Sequence, residues 1–483
     1  MITVRLDSFD FALPEDEDSW HLDPPHEVEI WRRPLSSLAG LAEAPMYKTS
    51  EPVRGAPISQ SAAKARDDAG PVDTYRRVGI NARAAWKETK GEGVKVVIFD
   101  NGVDFQHPSL EPNVILADAR DFDHDSEGRS HDQGGRIDNR FNAHGTACAG
   151  IVAAADLPGF RVVGVAPAAA LVPIRISTNF EARSLINALE YARDVGDVIL
   201  IPRYLPESAD LSAMISAIAR EVPIVCASGN DGTDFLIHPA SLDGTIAVGA
   251  CNEKGYRATY SQYGAGLDVV APSNDLAVED ADVVRLDLDE ANLRVRAEEE
   301  RQARLANRPL PPSRPRDLKE LMALPETNGW NLERFGSLSI ATTDNTGDYG
   351  YNDEPPGDFC LATGDVGFGG TSAAAAQVAG VVALMLSACL KKHHDDREVV
   401  RKYLKPDTIR KILKDTVYKN TADETYLHPE PGRRTFEVEF GAGLVNAAAA
   451  VKAALAAVQA ATEHSDSGTA PSTTLKDVAT AGP

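Results

Sequence analysis

Cysteine is scarce in this sequence. The five present, Cys148, Cys226, Cys251, Cys360 and Cys389, are scattered over 483 residues with no CxxC pair. That excludes a disulfide framework and a structural zinc site of ordinary spacing, and it reads as free buried thiols in a reducing compartment. Basic charge is short as well: 49 lysines and arginines face 72 aspartates and glutamates, a formal net charge of −23. A balance so acidic argues against a broad nucleic-acid surface and against an anionic membrane surface. The N-terminal residues hold no basic region followed by an apolar run, so no signal peptide is expected, nor is an 18-residue apolar span. A cytoplasmic location follows as the expectation. No internal repeat is visible.

Apolar residues make up 43% of the chain, enough for a large core. Residues 1–70 have little periodic pattern and read as an N-terminal extension, with acidic and proline-rich turns such as Pro14–Asp18. From Gly79 the texture changes. Val94–Phe99, Ala170–Ile176, Val198–Ile201, Ile224–Ala227 and Ile246–Val248 are short, nearly continuous apolar runs, as in strands buried on both faces. Helical stretches are expected over Ala82–Lys90, Gly145–Ala155, Ser184–Asp194 and Leu211–Arg220, and later over Thr371–Lys391, Pro406–Asn420 and Val445–Ala461. Strands alternating with helices predict an α/β domain over 71–461: three layers, with a mainly parallel central sheet. The apolar stretch Thr371–Lys391 is broken by small residues and is placed beside the sheet rather than in a membrane. Residues 462–483 lack pattern and are expected to be a disordered tail.

One segment interrupts the alternation. Residues 277–330 are charged, with RVRAEEERQARLA at 294–306 followed by a proline-rich elbow, Pro309–Pro315. Glutamates three or four residues from arginines suit a solvated helix face. The segment reads as an insertion: either surface decoration, or a lid or docking arm that receives a regulatory or activating protein.

Three motifs carry chemistry. Asp100 ends a strand, in Phe99-Asp100-Asn101-Gly102-Val103-Asp104, at the sheet edge where such folds build sites. His144 opens a small-residue helix in His-Gly-Thr-Ala-Cys-Ala-Gly. Ser372 stands at a glycine-marked helix start, in Gly-Gly-Thr-Ser-Ala-Ala-Ala-Ala, with nothing large to shield its hydroxyl. An acid, an imidazole and a hydroxyl in the order Asp, His, Ser resemble the subtilisin-like serine peptidases, the subtilases. The resemblance covers about Gly79 to Ala457 apart from the insertion. The Cys148-bearing histidine motif and the run around Ser372 look closest to the kexin-like branch. An α/β-hydrolase reading fails, because no convincing GxSxG is present and the acid precedes the serine.

The resemblance implies a subtilisin-like α/β/α sandwich and a serine endopeptidase acting on proteins or peptides, with no cofactor required for chemistry. His144 would be the base, Asp100 its orienter and Ser372 the nucleophile. Asn230 and the Ser372 N–H would hold the oxyanion. The substrate would meet Arg203, Tyr204 and Leu205 on the strand edge, Ser228 and Gly229 before Asn230, and Ile237 on the pocket wall. Pro202–Pro206 replaces a glycine-containing edge usual in the family, so the cleft is expected to be narrow or closed at rest. Phe235, Leu236 and Ile237 imply an apolar or aromatic residue before the scissile bond. Asn101 stands where kexin-like members carry a further aspartate, which argues against dibasic specificity. Subtilases often bind calcium, and Asp121, Asp123 and Asp125 open an acidic loop suited to it; a solvated acidic loop is the alternative. A catalytically silent subtilase fold that serves as a binding or regulatory protein is the rival reading.

Overall fold

The computed structural model describes Leu22, the backbone of residues 26–30 and 73–77, and residues 78–123, 143–275, 339–351, 358–360, 367–418 and 435–467, apart from a few short breaks. Most of the extension, the acidic loop from 124, the insertion at 277–330 and the chain after 467 lie outside the described residues. So does Asp125.

The extension contributes one strand. β1 (His26–Ile30) pairs antiparallel with β2 (Asp73–Arg77), His26 opposite Arg77. The main sheet is built from β3 (Lys95–Asp100), β4 (Arg120–Asp121), β5 (Ala170–Arg175), β6 (Val198–Ile201), β7 (Ile224–Ala227), β8 (Ile246–Cys251) and β9 (Val269–Pro272). They lie in the order β4-β5-β3-β6-β7-β8-β9, and every neighbouring pair is parallel. A short antiparallel pair, β10 (Thr342–Thr343) and β11 (Phe359–Cys360), lies outside that sheet.

Each apolar run feeds two cores, because successive strand side chains point to opposite faces. Val96, Ile98, Leu200, Val225 and Val248 face one side. Val97, Phe99, Ile199, Ile201, Cys226 and Ala247 face the other. Burying one such Leu, Ile or Phe is worth about 1.5–3 kcal/mol, so the two-sided runs carry the fold.

Helices close both faces. The helix expected over Ala82–Lys90 stops after one turn as α1 (Ala82–Ala85). Side chains compete for the next backbone donors: Lys90 N–H goes to Glu92, and Gly91 N–H to Thr89 Oγ1. α2 (His144–Ala153) packs in the first core. α3 (Ala182–Val195) and α4 (Ala209–Ile218) cover the second through Leu185, Leu189, Leu211 and Ile215. α5 (Gly370–Lys392) returns to the first core and is buried from Thr371 to Leu390. By length and hydropathy alone it would cross a membrane, yet its apolar stretch is wholly buried against the sheet and neighbouring helices. α6 (Arg397–Tyr403), α7 (Pro406–Asp415), α8 (Phe436–Phe440) and α9 (Ala447–Ser467) complete the order. α9 corrects the expected tail boundary at 462. It runs on to Ser467, and Thr462 Oγ1 bonds back to the Val458 carbonyl within it.

All five cysteines are free and buried. Burial pushes every thiol above its ordinary range, that of Cys389 to about 12.

Candidate active site

β3 delivers Asp100 to the sheet's carboxyl edge with 1% of its surface exposed. The next residue joins strand to helix: Asn101 Oδ1 accepts the Gly145 N–H at 3.1 Å, satisfying a donor at the start of α2. Gly145 must be glycine, because a Cβ there would sit 2.0 Å from the Gly102 carbonyl oxygen. This close joint sets His144 over Asp100, with Nδ1 and Oδ2 at 2.7 Å. A carboxylate only accepts, so the imidazole proton lies on Nδ1 and the lone pair is on Nε2. Asp100 Oδ1 accepts the Asn101 N–H at 2.7 Å. Phe368 lies edge-on to the His144 ring at 5.6 Å, and Tyr351 lies against Phe368.

Burial opposes the charge on both members of the pair, and each outweighs it for the other. Beside His144, with Arg203 and the Asn101 N–H adding to the effect, the Asp100 carboxyl is held below its usual range. The carboxylate in turn holds the His144 imidazole well above its ordinary value. Cys148 Sγ stands 3.9 Å from Nδ1, and burial keeps that thiol protonated.

α5 brings Ser372 to its first turn, where backbone donors have no helical partner. Gly370 N–H goes to the Tyr260 hydroxyl and Thr371 N–H to Asn230 Oδ1. The Ser372 N–H has no acceptor among the described residues. Thr371 Oγ1 also donates to Asn230 Oδ1, at 2.9 Å, and accepts the Gly229 N–H. Two donors on one oxygen fix which way the Asn230 amide points. Its NH₂ is thereby presented on an exposed side chain. Two N–H donors at a helix N-terminus suit an oxyanion.

The structure therefore joins Asp100 to His144, and Asn230 to the Ser372 turn. The Ser372 hydroxyl itself donates to the Pro202 carbonyl at 2.7 Å. Of the residues expected to meet substrate, Tyr204 is about half exposed and Ile237 half-buried beside Gly229. Gly229 holds φ +115°. Ser228 is buried, its hydroxyl on the Gln262 carbonyl. Leu205 is fully buried, and its N–H bonds the His238 carbonyl, so it anchors the edge from beneath. Arg203 turns inward, with Nη1 3.7 Å from Asp100 Oδ1. Asp121 and Asp123 clasp Arg175 at 2.7 and 3.0 Å. Two carboxylates balanced by one guanidinium do not by themselves fit a calcium site, which takes six to eight oxygens.

Sequence reasoning missed Thr371, Tyr260 and Phe368, whose partners come from distant segments. The threonine beside the serine was the one readable signal.

Residues 91–306 match the family model described as "Subtilase family". That match ends inside the charged insertion, so the serine rests on its motif and on the geometry above. The "Intracellular serine protease" of Paenibacillus polymyxa is 33% identical over 210 residues, 41% of this chain and 61% of that protein. "Subtilisin Savinase" of Lederbergia lenta is 35% identical over 188 residues, 38% of this chain and 64% of that one. The "Major intracellular serine protease" of Bacillus subtilis is 31% identical over 214 residues, covering 41% and 63%. The chain thus spans less than two thirds of the length of these relatives. A solved structure titled "Proteases from Pseudoalteromonas arctica PAMC 21717" shares the fold, with a TM-score of 0.50 at 22% identity over 78% of this chain and 94% of that one. Over 91–306 the chain is thus similar to the subtilases, and the doubly covered parallel sheet and the Asp100–His144 pair agree with that likeness.

Proposed function

We propose that the chain is a serine endopeptidase of proteins or peptides, working inside the cell as the names of two relatives suggest for those proteins. The observation that carries the reading is the 2.7 Å Nδ1–Oδ2 bond, which leaves Nε2 as a base, together with a helix turn that offers two oxyanion donors. Ser372 Oγ leaves the Pro202 carbonyl and passes its proton to His144 Nε2 as it attacks the scissile carbonyl. Such contacts often tighten only in the substrate complex. Asn230 Nδ2 and the Ser372 N–H receive the negative oxygen. His144 then returns the proton to the leaving amine, and water reverses the sequence on the acyl-enzyme. The chemistry uses no cofactor. Membership of the subtilase family is part of this proposal, and so is the kexin-like texture of the motifs, which rests on residues such as Cys148.

Fluorophosphonate should label Ser372, and Ser372→Ala should abolish peptide cleavage while leaving the melting temperature near wild type. Folded wild-type protein that neither labels nor cleaves would favour the silent binding protein instead. Ile237 lies half-buried against Gly229 and Phe235, two residues earlier, is exposed, which supports an apolar or aromatic preference before the scissile bond. A peptide-library profile led by arginine at that position would refute that specificity.

A further inference from the structure

The segment after β6 touches the triad twice. Pro202 gives its carbonyl to Ser372, and the next side chain, Arg203, reaches Asp100. Arg203 is held in place: its side chain is 17% exposed, and Nη1 also donates to the Ile176 carbonyl at 3.4 Å. The Asp100 oxygens are divided. Oδ2 takes His144, while Oδ1 takes the Asn101 N–H and faces the guanidinium at 3.7 Å. A guanidinium does not lose its proton in a protein, so the charge beside Asp100 is permanent.

That charge matters because the pair has a hazard. A buried carboxylate so close to an imidazole favours imidazolium, and imidazolium cannot accept the serine proton. We propose that Arg203 is a positioning residue of the triad, whose fixed charge on the Asp100 oxygen that His144 does not use restrains the pair from closing into a permanent imidazolium–carboxylate and so extends downward the pH range in which His144 can act as a base. The inference rests on the peptidase reading. The other groups facing His144 do not supply this restraint. Cys148, one turn along α2, is kept protonated by burial, and Tyr351, against the far side of the Phe368 ring, is a phenol that stays neutral near neutral pH. Asp100 itself drives the effect.

The direction follows from the charge. Without Arg203 the full carboxylate charge acts on His144, the imidazole pKa rises, and the acid limb of kcat/KM moves to higher pH. Arg203→Met and Arg203→Gln should each raise that limb by about half a pH unit or more, as expected for removing one charge at this range. Arg203→Lys keeps the charge on a shorter reach and should fall between wild type and Met. The same ordering should hold for the His144 midpoint titrated by NMR in a Ser372→Ala background, which needs no activity. Melting temperatures identify folded variants, and if neither neutral variant folds, the smaller rise in Arg203→Lys decides. A midpoint that stays put or falls, even with kcat/KM reduced, would leave Arg203 as a substrate-edge residue and overturn the proposal. An inactive wild type would sink the peptidase reading alone, because the NMR midpoints would still report on Arg203.

Discussion

Asn230 can serve an oxyanion only while its amide faces the right way, and Thr371 decides that. Its N–H and hydroxyl both hold the Asn230 oxygen. Thr371→Val removes the hydroxyl bond and also strips the Gly229 N–H of its acceptor. We expect kcat to fall about tenfold with little change in KM, in keeping with the loss of one hydrogen bond of about 1–1.5 kcal/mol felt in the transition state. Thr371→Ser should restore most of it. Asn230→Ala should cost more, about 10²–10³ in kcat, the magnitude already known for removing one such donor from a subtilisin. Steady-state kinetics on a single peptide separate the cases; a raised KM with kcat intact would assign Thr371 to substrate binding.

At the scale of elements, legibility followed burial. The runs Val94–Phe99 and Ile224–Ala227 could be read as strands because both faces meet apolar layers, so no polar alternation dilutes the signal. β4, β10 and β11 are two residues each, too short to hold a period. β9 was absent from the expected strands: it is short and ends in Pro272, and its place at the sheet edge is what tolerates a proline. α1 was overread because Thr89 and Glu92 take donors that a longer helix would have used. The Asp, His, Ser order proposed as the triad, with Asn230, was legible because each residue lies in a local motif. Arg203 was seen as part of the substrate edge, and its inward turn was not, since its partner Asp100 lies about a hundred positions earlier and only the β3–β6 pairing makes them neighbours. The burial of Leu205 in the second core, with its N–H on the His238 carbonyl, was hidden for a similar reason.

For the molecule as a whole, strand order gathers the site. β3, β6 and β7 lie side by side and parallel, so Asp100, Pro202–Arg203 and Ser228–Asn230 leave the sheet at one edge. α2 and α5 begin at that edge too, with the positive ends of their dipoles toward it. The same two-sided burial has a consequence for the thiols. Cys148, Cys360 and Cys389 belong to one core and Cys226 and Cys251 to the other, so the chain carries a separate chemical clock for each layer. A protonated, buried thiol reacts with an alkylating reagent only when its surroundings open. Under native conditions, mass-spectrometric time courses with iodoacetamide should show all five modified slowly, and mild denaturant should accelerate each core's cysteines as a group. Prompt alkylation of Cys251 in the folded protein would contradict this. Where the two groups part company along the denaturant series, the gap measures how far one layer peels from the sheet while the other still holds it.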